Sequence, residues 1–369
     1  MLRSTNTSVE VSRSRALLVS IIPLLLAGCA PRVATSFWRI GTPADSIRPG
    51  YAVLSEGTKV RHCYPITEWT DTLPNYVGKG DTYHSLHHHG VAVESELMAY
   101  RIYFDKKQTI DPYCKRTPQL ELAQSHWYPN DSLLAIGYGD DILRVSGTVG
   151  VGSVKYWQIK NQKSKISDGK LCHIEPVAER TQRIVSQSRT SATIEVSVRG
   201  WQIPSDPRAP SVPSPLVDLT TRYTMRAGHR DLRCDVLLSD TLSGLCTGVQ
   251  TIPAKAPNQN SKILNLQLPN GVLLASWGTD WLVNDTVKYP KETVGLAVFI
   301  PHPYAGTLVQ DKSNNLCLLK SKITNQKSKM CATAHFYLIV CGATKENHPV
   351  ATSAEEWFTY LRRWAKNLR

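Results

Sequence analysis

The sequence predicts an all-β fold, a large antiparallel β-sandwich with a C-terminal amphipathic helix, and three observations lead there. Many short runs alternate apolar and polar residues, the period of a half-buried strand. Turn residues separate most of these runs. Nothing alternates strand with helix, as a parallel βαβ fold would.

Residues 1–28 read as a lipoprotein signal peptide. Arg13 and Arg15 precede the apolar run "ALLVSIIPLLLAG", which is too short to span a bilayer and carries a proline. The run ends in "LAGC", and Cys29 is the expected lipidation site, with residues 29–50 as a tether and 51–369 as a single β-sandwich domain. Ala30 stands where an aspartate would favour inner-membrane retention, so an outer-membrane lipoprotein facing the periplasm is expected.

Within the domain, Val91 to Phe104 reads as one extended strand. Glu94, Glu96, Met98, Tyr100 and Ile102 would then share one face, a mixture suited to the floor of a polar cleft. "ATIEVSVRGW" alternates through Ile194, Val196 and Val198. "LTTRYTM" and "LRCDVLL" alternate on either side of "RAGHRD", where Gly228 can take a positive φ, and predict a hairpin. "TVGLAVFI" and "AHFYLIVCG" are apolar enough for interior strands. The Lys/Ser-rich stretches Lys160–Ser167, Asn258–Leu264 and Thr324–Met330 read as surface loops, as does the proline-rich Gln202–Asp218. In "SAEEWFTYLRRWAKNL", Ser353 and Glu356 have capping-box spacing, and Trp357, Tyr360, Leu361 and Trp364 recur on one helical face.

The formal charge is +13, and +11 once residues 1–28 are removed. Such an excess points to a polyanionic partner. For an envelope lipoprotein that partner is an acidic oligosaccharide, with no nucleic acid expected; the membrane is met through the lipid anchor. Eight cysteines follow Cys29, none spaced C-x-x-C, so no structural zinc site is expected and plain buried thiols serve as well as disulfides.

Four segments concentrate acid/base chemistry: His87, His88 and His89 with Glu94, Glu96, Tyr100 and Arg101; Asp140 and Asp141; His173, Glu175, Glu179, Arg180 and Arg183; and Arg222, Tyr223, His229, Arg230 and Asp231. If the three consecutive histidines are extended, alternation sends His88 away from the other two, so one metal cage is not expected. No cofactor is called for, a divalent metal being the alternative.

The stretches "HHGVAVESELMAYRIYFDKKQTID", "LELAQSHWYPNDSLLAIGYGDD", "HIEPVAERTQRI" and "LTTRYTMRAGHRD" resemble a bacterial family catalogued as a domain of unknown function and found in polysaccharide-utilisation loci. The resemblance implies a galactose-mutarotase-like sandwich and, from at least one relative, a dehydratase acting on uronic-acid oligosaccharides. Such a lyase removes the C5 proton beside a neutralised carboxylate and protonates the departing hydroxyl. On that expectation His88 or His173 is the base and Tyr223 or His229 the acid. Arg180 and Arg222 hold the carboxylate, and Glu94, Glu96 and Glu175 orient the histidines, with Tyr100 beside them. Alternatives are a glycoside hydrolase or epimerase on the same fold, or a non-catalytic glycan-binding lipoprotein. A binder would use Trp127, Trp157, Trp201 and Trp277 as stacking platforms. Cys114, Cys172 and Cys234 depart from the family pattern, and Cys172 directly precedes His173.

Overall fold

A computed structural model describes residues 31–369 except 57–58, 73–81, 126–128, 162, 164, 209–210, 212, 253–261, 282–289, 324–331 and 369. The signal segment, Cys29, Trp127 and the Thr324–Met330 loop therefore lie outside the described residues. Residues 31–369 gather into one unit.

The predicted hairpin is present. Leu216–Arg226 pairs antiparallel with Leu232–Leu238, Tyr223 opposite Cys234, and Gly228 has φ 78° in the turn. These strands lie within a ten-stranded sheet. From one edge nine of them run Lys262–Leu268, Gly271–Trp281, Lys291–Pro301, Ala332–Gly342, Leu232–Leu238, Leu216–Arg226, Ser191–Gln202, Glu179–Gln187, Glu68–Asp71, and the tenth, Lys322–Ile323, pairs with Ala332–Gly342 off this path. Two five-stranded sheets pack against it and bury the main core, where Tyr100 and Ile102 from one and Tyr156 and Leu245 from the other join Ile194, Val196, Tyr223 and Phe336. The predicted antiparallel sandwich with a C-terminal helix is thus the observed architecture.

Lys291–Pro301 shows why some strands read as continuous apolar runs. Val294, Leu296, Val298 and Ile300 enter the main core, while Ala297 and Phe299 face a second core under the C-terminal helix Ala354–Lys366. Burial on both faces removes the polar half of the alternation. The helix starts as predicted: the Ser353 hydroxyl accepts from the Glu356 amide at 3.2 Å. The Glu356 carboxylate reaches back one residue further than expected, to the amide and hydroxyl of Thr352, both at 2.8 Å.

Trp357 of that helix lies flat over Gly295, where an added Cβ would stand 2.6 Å from the indole. We expect Gly295→Ala to lift the helix and cost about 1–3 kcal/mol, as overpacking does. Urea denaturation should show a lower midpoint; an unchanged one would mean that the helix docks without this contact.

Three expectations need correction. Val91–Phe104 is not one strand: Ala92–Ser95 and Met98–Ile102 form a tight hairpin, Val93 opposite Tyr100. The turn carries no Gly or Pro; instead the Ser95 hydroxyl accepts from the amides of Leu97 and Met98, at 3.0 and 3.3 Å. Residues 33–36, expected in a tether, pair in register with Ala92–Ser95. The end of the Asn258–Leu264 stretch is an edge strand, Lys262–Leu268.

Candidate active site

The expected site residues separate into distinct places. Register shows how far apart two of them are. Arg180 lies opposite Val198, which lies opposite Leu219, whereas Arg226 and the His229 turn sit seven residues further along the same strand. Seven extended residues span about 23 Å. His173 and Arg180 therefore cannot share one sugar ring with His229.

Several of the expected catalytic and binding groups are structural. Tyr223 faces the main core at 2% exposure, where burial raises its pKa. His88 is fully buried and donates through Nε2 to the Leu122 carbonyl at 2.7 Å. Its backbone is left-handed (φ 57°), so the histidines form a turn rather than a strand, and the His87 and His88 rings stack at 4.0 Å instead of pointing apart. Glu94 is buried against Lys115 and accepts the amides of Glu121 and Leu122 at 2.8 and 3.0 Å. Tyr100 lies on the opposite face of the same small sheet, packed in the main core, and its hydroxyl donates to the Arg230 carbonyl at 2.6 Å. Glu96 accepts the Arg32 amide at 2.9 Å. Arg222 and Arg183 flank Glu195 at 2.6 and 2.7 Å as cross-strand neighbours on the sheet's other face. Asp141 is bound by buried Arg101 at 3.0 Å, and Asp140 pairs with Lys345. None of these groups belongs to one polar cleft floor, because the tight hairpin and the pleat point them in different directions.

His173, Glu175 and Arg180 do come together, with partners that the sequence reading missed. They lie where the start of Glu179–Gln187 meets the loop 103–109 and the strand Lys155–Ile159. The Arg180 guanidinium is 4% exposed and donates through Nη2 to the Ile174 carbonyl at 2.8 Å. The Ile174 amide in turn donates to the Lys106 carbonyl at 3.2 Å. Lys106 pairs with Glu175 at 3.4 Å. Lys155, fully buried, donates to the Lys107 carbonyl and to the Thr109 hydroxyl at 3.3 Å. Asp105 fixes the loop by accepting the amides of Lys107 and Gln108 at 2.8 and 3.0 Å.

The electrostatics are those of an anion site. Arg180, Lys155, Lys106 and Lys107 face Asp105, Glu175 and Asp71 as carboxylates. Burial, then Lys155, Lys107 and Lys106, push the His173 pKa down to about 3, so its ring is neutral at physiological pH. Burial holds Lys155 down at about 7 despite Asp105, and Arg180 down at about 10. Three buried polar atoms, Arg180 Nε, His173 Nδ1 and Gln108 Nε2, have no hydrogen-bond partner among the described residues. Buried polar groups are nearly always satisfied, so such a concentration marks a place where a ligand or water belongs. Among the described residues, three of the four non-glycine positions with positive φ, His88, His89 and Gln108, also flank this loop. The His89 carbonyl accepts the Phe104 amide at 2.8 Å. Strained backbone of this kind clusters at functional sites.

Among the described residues, no group of three or more His, Cys, Asp or Glu side chains is placed to hold a metal ion. The expected stacking platforms Trp157, Trp201 and Trp277 are buried core residues. Cys172, beside His173, is half-buried, and burial raises its pKa, so it behaves as a thiol rather than a thiolate.

A family model described as "Domain of unknown function (DUF4861)" matches residues 60–369, which contain the whole cluster. No curated protein matches the chain. Among solved structures, a candidate aldose 1-epimerase from Klebsiella pneumoniae subsp. pneumoniae is similar at 8% identity and TM-score 0.34, over 90% of this chain and 96% of that one. A TPR-domain containing protein from Parabacteroides distasonis is similar at 9% identity and TM-score 0.33, over 87% and 56%.

Proposed function

We propose that this chain, which belongs to the DUF4861 family, is an envelope lipoprotein that dehydrates acidic oligosaccharides at the His173–Arg180–Lys155 cluster. The observation that carries this reading is the pair of buried cations, Arg180 and Lys155, set with three unused buried polar atoms around one neutral imidazole. A uronic-acid carboxylate supplies the missing negative charge: Arg180 Nε and the Lys155 ammonium would neutralise it, which acidifies the adjacent C5–H.

His173 is then the base. Its low basicity comes from burial and three lysines, and an arriving carboxylate offsets their charge. The C5–H bond breaks, its electrons form the C4=C5 double bond, and the C4–O bond breaks. The imidazolium, disfavoured in this setting, returns its proton to the departing hydroxyl, so one water leaves and the enzyme is unchanged. Glu175, paired with Lys106 and adjacent in sequence to Ile174, positions the loop rather than the reacting atoms.

The reading is tested by incubating the purified protein with ulvan-like and pectin-like oligosaccharides. The expected product is lighter by one water and absorbs in the near ultraviolet; unchanged masses across both substrates would sink the proposal. The pH dependence is specific. Because Lys155 must be protonated to hold the carboxylate and its pKa lies at about 7, kcat/KM should fall as pH rises through that value. Lys155→Met should flatten this limb while lowering the plateau, and a limb that survives the substitution would belong to another group.

A further inference from the structure

At the far end of the sheet from His173, a cleft of about 720 Å³ opens between the hairpin tip around Gly228 and the C-terminal helix. Its walls are of two kinds. Arg226, Arg230 and Arg233 come from the hairpin, and Tyr337, Tyr360 and Trp364 from the neighbouring strand and the helix. Each kind is held in place. Arg230 is anchored by Glu346 at 2.6 Å and Arg233 by Asp235 at 2.8 Å, while exposed Arg226 has no acidic partner among the described residues. Tyr360 stacks on Trp357 at 5.8 Å and 9°, and Trp364 meets Phe299 edge-on at 6.5 Å. Tyr360 and Trp364 are four residues apart and so lie side by side, both half-buried, on the helix face. The Trp364 indole Nε1 is buried with no acceptor among the described residues.

Aromatic rings with a free N–H beside an unpaired guanidinium match a sugar that carries a carboxylate: the rings cover its apolar C–H face, and arginine takes the charge. We infer that this cleft is a second saccharide-binding site, which holds a uronic-acid-containing oligosaccharide without acting on it. Only the ligand class rests on the proposed function; the geometry stands apart from it. Chemistry is not expected here. His229 lines the cleft with Asp231 at 3.1 Å, but its side chain is 48% exposed and lacks the enclosed setting that strengthens active-site electrostatics. The C-terminal helix thereby gains a binding role beside its packing on the sheet.

Titration calorimetry with trigalacturonate, and with neutral galactotriose of the same length, tests the inference. Arg226 is exposed and unpaired, so Arg226→Glu should fold as the parent does and weaken trigalacturonate binding at this site by about tenfold or more. Arg180→Gln should leave this binding event in place, which separates it from the His173 cluster even if no turnover is ever found. Tyr360→Ala, checked for folding by circular dichroism, should weaken it as well. Equal binding of galactotriose, unchanged affinity in Arg226→Glu, or loss of the event in Arg180→Gln would each overturn the assignment.

Discussion

Arg180→Gln is expected to lower turnover of uronic-acid oligosaccharides by about 10²–10³-fold, the usual consequence of removing a preorganised donor from developing negative charge. The same change should leave stability unchanged or slightly raised. Arg180 is 4% exposed, and burial pulls its pKa down to about 10 despite Asp105, Glu175 and Asp71, so the folded state carries an unfavourable desolvated charge. Glutamine keeps a donor for the Ile174 carbonyl and relieves that charge. Activity and stability therefore move independently, which a strut would not allow. Arg180→Lys should recover only part of the rate, because an ammonium cannot serve Ile174 and a ligand with two separate, rigidly placed N–H groups. Turnover within threefold of the parent in Arg180→Gln, measured as mass loss of one water, would remove Arg180 from the site.

What could be read in advance follows the range of the interactions. The hairpin at Gly228 and the alternation of Ile194, Val196 and Val198 are local properties, and they appear as expected. The hairpin between Ala92–Ser95 and Met98–Ile102 was hidden because a serine hydroxyl does the work of a turn glycine. With the hairpin missed, Glu94 and Tyr100 were placed on one face, whereas they lie on opposite faces. The site was legible only in part. His173, Glu175 and Arg180 are neighbours in sequence and stayed together. Arg222, Tyr223 and His229 were joined to them by residue type alone, and strand register separates them. Lys155 left one overlooked signal: a lone lysine inside "VGSVKYWQI", with buried residues on both sides, has no solvated face to turn to. The sequence "FDKKQT" supplied the rest of the cluster, but as an ordinary polar turn; only the fold brings it against Arg180. The charged row Arg183, Glu195, Arg222, Asp235 and His335 runs across five adjacent strands and was likewise beyond reach, since each residue comes from a different strand.

Lys115→Met is expected to be among the most destabilising single changes in the protein, and its cost should depend on pH. Lys115 and Glu94 side chains are each 2% exposed and paired, with Glu121 at 3.9 Å from the same ammonium. Removing the cation leaves two buried carboxyl groups facing each other, a defect that costs about 3–5 kcal/mol. Burial already pushes Glu121 up to about 7, with Lys115 the strongest opposing influence, so loss of Lys115 raises it further. A carboxyl whose folded pKa lies above its unfolded value contributes stability at low pH that is lost as pH rises through the folded pKa. The penalty of Lys115→Met should therefore be smaller at pH 5, where Glu121 is protonated, than at pH 8. Urea denaturation at the two pH values measures the difference, and equal penalties would show that the carboxylates find other partners. The double variant Lys115→Met with Glu94→Leu should recover part of the loss, because it removes the stranded charge together with its partner. Glu94 also holds the amide of Leu122, whose carbonyl fixes His88. The triad thus ties the strained histidine turn to the small sheet, and loosening it should carry through to the loop that positions Lys107 and Arg180.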